Sequence, residues 1–156
     1  MTTRSGRSGG FTLLEMLVVL AIIGILAGIG YFNYLRQIRI GQVREAATQV
    51  ATDLRTARDS AMRLTQPASI SWTTTTPISS YNLNLPGRNT ARNVPNSLNF
   101  VCQSGCDSKK IAYQAPYGEL NGATGTILRF DSPLVDKIFY VKVVGVTGKV
   151  ILTDKL

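Results

Sequence analysis

From Met16 to Leu35 the chain carries no charged side chain, and Asn33 is its one strongly polar residue. Such a run is about the 20 apolar residues that the hydrocarbon core of a bilayer requires of a spanning helix. It reads as a membrane helix. Glu15, which stands at its head, does not suit a plain anchor. An ionisable group at mid-membrane costs roughly 2.5–3.5 kcal/mol on insertion scales, so it marks a function with a partner, for which a free amine would serve. The plainer alternative is an uncleaved anchor whose Glu15 reaches the water at the interface. A secretory signal peptide fits less well, because its apolar region spans only about 7–15 residues and ends in a small-residue cleavage site.

The residues around Glu15 carry a more specific pattern. A short leader with Arg4 and Arg7 is followed by Gly9-Gly10-Phe11-Thr12-Leu13-Leu14-Glu15 and then by Leu, Val, Ile, Ala and Gly. This resembles the class III signal of type IV pilins and type II secretion pseudopilins. The resemblance implies that a prepilin peptidase cuts after Gly10 and methylates the new amine on Phe11, and that Glu15 neutralises the amine of a neighbouring subunit. A charge buried between packed helices is tolerable only when paired. Where many pilins have a helix-bending proline, this chain has Phe32. Gly24, Gly28 and Gly30 weaken the helix there instead. Gly24 and Gly28 form a Gly-x3-Gly pair suited to close helix approach, or a coincidence of a glycine-rich stretch.

Residues 1–10 are mostly Ser, Gly, Thr and Arg and form no packed element. Arg4 and Arg7 favour a cytoplasmic N-terminus, while Arg36, Arg39 and Arg44 oppose it by count. Orientation therefore rests on the resemblance, which implies a single-pass inner-membrane precursor and, after assembly, a periplasmic or extracellular filament. Beyond leader and helix about 90 residues remain, enough for one small domain. The net charge of +8 falls to +6 when Arg4 and Arg7 leave with the leader. That basic balance fits an anionic partner, such as nucleic acid, lipid headgroups or an acidic surface, or else solubility alone.

After the apolar run the helical period continues. Val43, Ala47, Val50, Leu54, Ala57, Ala61 and Leu64 fall on one stripe, with Arg44, Thr48, Arg55, Asp59 and Arg63 largely opposite. Pro67 ends the helix. The period then changes to two. Ala68 to Thr74 and Tyr81 to Leu85 alternate as strands, with a turn at Thr75-Thr76-Pro77 and a polar loop from Pro86 to Ser97. Further strands are expected at Leu98–Cys102, Ile111–Ala115, Gly125–Phe130, Lys137–Gly145 and Lys149–Thr153. The expected class is α+β, a long N-terminal helix packed against a C-terminal antiparallel β-sheet domain. Its segments are a leader at 1–10, a helix at 11–64 with 11–35 as transmembrane or filament core, and a globular domain at 65–156.

Cys102 and Cys106 lie four residues apart. In an exported domain they meet an oxidising compartment, so a small disulfide loop is expected, with two free thiols as the alternative. A metal site would need more ligands, and the chain has no His. Neither a metal nor a cofactor is expected. The same lack of His, the isolation of Glu119, Asp131, Asp136 and Asp154, and the absence of a phosphate-cradling glycine loop argue against an enzyme.

Ile111-Ala112-Tyr113-Gln114-Ala115-Pro116-Tyr117-Gly118, Gly125-Thr126-Ile127-Leu128, Tyr140-Val141-Lys142-Val143 and Val146-Thr147-Gly148-Lys149-Val150 resemble the GspH/FimT branch of minor pilins and pseudopilins. Some FimT-type pilins bind DNA through a C-terminal Gly-Arg-x-Arg motif, to which Gly148, Lys149, Val150 and Ile151 correspond. One basic position is kept as Lys149 and the other is lost. Lys149, Lys142, Arg129, Arg88 and Arg92, with Lys137, are the candidate DNA-contacting residues if the fold gathers them; otherwise they are solvated surface charges. The expected function is a minor pilin that primes assembly of a type IV pilus. Its partners would be other pilins, prepilin peptidase and the inner membrane. An H-type minor pseudopilin of type II secretion and a DNA receptor for transformation are the alternatives.

Overall fold

The structure, a computed structural model, describes residues 12–73, 76–106, 108–121 and 125–155. Gly10, Phe11, Thr74 and Thr75, to which the sequence assigns a cleavage site, a strand end and a turn, lie outside the described residues. The first element, α1 (Leu13–Leu64), starts from a cap. Thr12 Oγ1 accepts the backbone N–H of Glu15 at 3.2 Å, and its carbonyl opens the helical ladder by accepting that of Met16 at 3.2 Å. The first contact satisfies one of the amides that every helix start leaves unpaired. The helix stops where Thr65 takes a φ of 50°, ahead of Pro67, which cannot continue it.

The chain divides into two units between Gln37 and Ile38. In the first, every described residue from Leu13 on is helical, and large apolar side chains such as Leu20, Ile25, Leu26 and Phe32 are exposed. Nothing is buried across its most apolar stretch, which is long and apolar enough to cross a membrane.

The second unit places the rest of α1 against two antiparallel sheets. One has the order β3-β2-β1-β5-β6 and the other β4-β7-β8-β9. Their strands are β1 (Ala68–Ser71), β2 (Ser80–Leu85), β3 (Arg88–Asn93), β4 (Phe100–Ser104), β5 (Lys110–Gln114), β6 (Glu119–Leu120), β7 (Gly125–Ser132), β8 (Val135–Val144) and β9 (Lys149–Thr153). The buried side chains of α1 include Val43, Val50 and Leu54 together with Ala46, Ala47, Ala51, Ala57 and Ala61. This alanine-rich stripe shares one core with side chains of both sheets. Leu64, expected on the stripe, is exposed because the helix ends there.

Phe100 sits at the centre of the core, fully buried, with its ring 5.3 Å from that of Phe130, 6.1 Å from that of Trp72 and 6.3 Å from that of Tyr81. Such aromatic pairs add about 0.5–1.5 kcal/mol each beyond area burial. A corner closes the unit at the other end. The turn from Gly145 to Gly148 joins β8 to β9, and Val146 O accepts the N–H of Leu120 in β6 at 2.9 Å. Gly148, at φ 65°, lies so close to the Tyr113 ring that a Cβ there would stand 2.5 Å from Cε1. Only glycine suits both the backbone and the space.

The structure departs from the expected elements in three details. The strands form two sheets rather than one, and Pro86–Ser97 is not simply a loop. It contains β3, paired to β2 with Tyr81 opposite Arg92 and Leu83 opposite Thr90, and a 3-10 turn at Pro95–Ser97. The first strand also ends early, at Ser71.

Candidate functional site

The head of α1 is the first candidate. Glu15 lies in the first turn, where the helix dipole favours an anion. Thr12 supports that turn, a role the sequence reading missed although Thr-x-x-Glu has the spacing of a capping box. The carboxylate therefore sits at the entrance of an exposed apolar helix.

The candidate basic residues divide into two groups. On the second sheet Leu128, Phe130, Val141, Val143 and Val150 face the core, so the alternating neighbours Arg129, Lys142 and Lys149 face away from it. Arg129 lies opposite Tyr140, Lys142 opposite Ile151, and Lys149 opposite Val144. The three cations thus step diagonally across β7, β8 and β9 on one surface. Arg129 is partly engaged, since its Nη2 lies 2.6 Å from Asp131 Oδ2. Arg88 and Arg92 belong to β3, the edge of the other sheet, and do not join this row. Lys137 is also taken up: its Nζ donates to Asp154 Oδ2 at 2.5 Å, and that hydrogen bond holds the Asp154 carboxyl below the usual carboxylate range.

Arg92, itself exposed, takes part in a cluster around buried Asp53 and Tyr81 that the sequence did not disclose. Its Nε is 3.7 Å from Asp53 Oδ2, and the same oxygen accepts the Tyr81 hydroxyl at 2.7 Å. Gln49 Nε2 donates to Tyr81 Oη at 3.1 Å and to Asn93 O at 3.1 Å. Asp53 is buried on α1, and burial, aided by the hydrogen bond to Asp53, pushes the Tyr81 hydroxyl well above its ordinary range. Burial likewise raises Tyr113, whose hydroxyl has no hydrogen-bond partner among the described residues. The Asp53 cluster fastens α1 to β2 and β3, so its role is structural. Cys102 and Cys106 are joined by a disulfide, with Cα atoms 6.0 Å apart, at the end of β4. Among the described residues no three His, Cys, Asp or Glu side chains converge as metal ligands would.

Comparison with known proteins finds a sequence motif at the head of the chain and a likeness of fold. Residues 5–31 match the prokaryotic N-terminal methylation motif. The chain is similar in structure to the type IV minor pilin FimU of Pseudomonas aeruginosa, with 15% identity and a TM-score of 0.53 over 69% of this chain and 90% of that one. At that identity the likeness is one of fold: a long N-terminal helix packed on antiparallel sheets, the pilin fold. No curated protein matches the sequence.

Proposed function

We propose that the chain is a minor pilin, a structural and assembly-priming subunit of a type IV pilus. The observation that carries this reading is the combination on one helix of an exposed apolar surface, Glu15 at its head and a methylation motif directly around it. The FimU-like fold supports it. Prepilin peptidase would cut the inner-membrane precursor after Gly10 and methylate Phe11, removing Arg4 and Arg7 from the head of the helix. The freed amine of one subunit would then meet Glu15 of another. Passing from bilayer to filament, the helix exchanges lipid for neighbouring helices, and a paired carboxylate enters where an unpaired one would be costly.

Mass measurement of the protein recovered from cells tests the cleavage. A chain beginning at Phe11 and carrying one extra methyl group is expected, and one that still holds Gly10 overturns the reading. Glu15→Ala should leave the precursor in the membrane and greatly reduce its entry into filaments. An H-type secretion pseudopilin would share this processing. Deletion that lowers piliation while export of secreted proteins continues supports the pilus role, and the reverse supports secretion.

A second reading, DNA capture, draws support from the diagonal of Arg129, Lys142 and Lys149 beside Tyr140. Titration of the full chain in detergent micelles with duplex DNA should then show affinity that falls steeply with salt and weakens in Lys149→Ala. Absence of binding at low salt removes this reading and leaves the filament role intact.

A further inference from the structure

Strand β9 is the last of its sheet and, among the described residues, has a neighbour, β8, on one side only. The carbonyl of Val150 points off the free edge, where it accepts Arg55 Nη2 at 3.4 Å. Backbone groups of an antiparallel strand alternate in direction from residue to residue, so the N–H and C=O of Leu152 turn the same way as those of Val150. Unpaired edge groups are a template for another strand.

Along this edge the strand and α1 enclose a seam. One cavity of about 520 Å³ is lined by the apolar side chains of Ile40, Phe139 and Leu152 and by Arg44, Lys137 and Asp154. A second, of about 240 Å³, lies among Arg55, Arg58, Asp59 and Lys149 beside Val150. Lys137 and Asp154 neutralise each other at 2.5 Å. Arg55 and Arg58 are engaged with backbone carbonyls, Arg55 with Val150 O and Arg58 with Thr147 O at 2.9 Å, which leaves Arg44 beside the apolar cavity and Lys149 beside the second as the cations open to a ligand.

We propose that this seam receives an extended segment of a different protein, one that alternates carboxylate and apolar side chains, as an added strand on β9. Main-chain pairing at Leu152 supplies attachment that any sequence can use, and the side chains of the seam supply selection. Apolar residues of the segment meet Ile40, Phe139 and Leu152, and its carboxylates meet Arg44 and Lys149. A second copy of this chain fits poorly, because each copy carries 17 Lys and Arg against 9 Asp and Glu. Nucleic acid would satisfy the cations but leave the apolar lining and the Leu152 backbone unmatched.

The test uses the full chain in detergent micelles and a fluorescent peptide of about six residues alternating Glu and Val, the usual length of a strand. Its controls are the Lys–Val counterpart, the Glu–Val peptide N-methylated at alternate amides, and duplex DNA. The Glu–Val peptide should bind and slow hydrogen exchange at the Leu152 amide. Arg44→Ala combined with Lys149→Ala, both at exposed positions, should weaken it by about tenfold with circular dichroism unchanged, as expected for loss of two exposed charge contacts. The N-methylated peptide should not bind. Equal binding of the Lys–Val peptide, undiminished binding after N-methylation, occupancy of the seam by DNA alone, or no binding of the Glu–Val peptide at about millimolar concentration would each overturn the proposal.

Discussion

Residues 13–37 of α1 and its remainder, from Ile38 to Leu64, belong to one unbroken helix yet present opposite surfaces. The first stretch is uncharged from Met16 to Leu35 and shows bulky Leu, Ile and Phe side chains. The second is apolar along one stripe and hides mostly alanine there. A helix laid on preformed sheets gains most from close approach, which small side chains permit. A helix meant for lipid or for other helices keeps its large side chains outward on every side. Side-chain size, more than helical period, therefore separates the half that completes a fold from the half whose apolar surface stays exposed.

The comparison predicts that injuries to the second region reach the whole sheet unit while injuries to the first do not. The largest effect should come from alkali. Tyr81 and Tyr113 keep their protons in the folded unit above the value at which they would ionise in an unfolded chain, about 10. Stability from these groups is fully present below about pH 10 and is lost as pH rises beyond it. Phenolate absorbance should therefore appear for both tyrosines together with loss of circular dichroism; gradual ionisation of a still folded unit would contradict the described burial. Phe100→Ala should come next, at about 3–5 kcal/mol in a denaturant titration, since it empties the centre of the core. Asp53→Ala should cost about 1–3 kcal/mol, because Tyr81 and Arg92 lose their shared acceptor. Ile25→Ala should change the unfolding midpoint of the sheet unit by no more than about 0.5 kcal/mol. A large effect there would erase the contrast between the two regions.

Much of this division can be read directly from residues. The stripe through Val43, Val50 and Leu54 announces the packed face of α1, and the uncharged run before it announces the exposed half. Strand β3 is hidden because Arg88–Asn93 contains no apolar alternation; it is an edge strand fixed by main-chain pairing to β2, which leaves no mark on residue type. The pairing into two sheets is equally silent, since a period of two tells which way side chains point and not which strands are neighbours. Asp53 looks like any solvent-facing helix residue until Tyr81, distant in sequence, arrives above it. Of the basic candidates, Arg129, Lys142 and Lys149 share a surface only because β7, β8 and β9 are consecutive antiparallel strands, whereas Arg88 and Arg92 fall on the other sheet for the same topological reason. Thr12 was legible in principle, through its spacing to Glu15.

The corner at Gly148 bears on how the protein is made. Tyr113 is covered by a turn synthesised more than thirty residues later, and the Leu120 amide waits for an acceptor, Val146, from that same turn. Until the ribosome has delivered the β8–β9 connection, an aromatic ring and a main-chain donor on the earlier sheet stay open to solvent. A polypeptide interrupted before Gly145 would thus leave that ring uncovered and that donor without its acceptor.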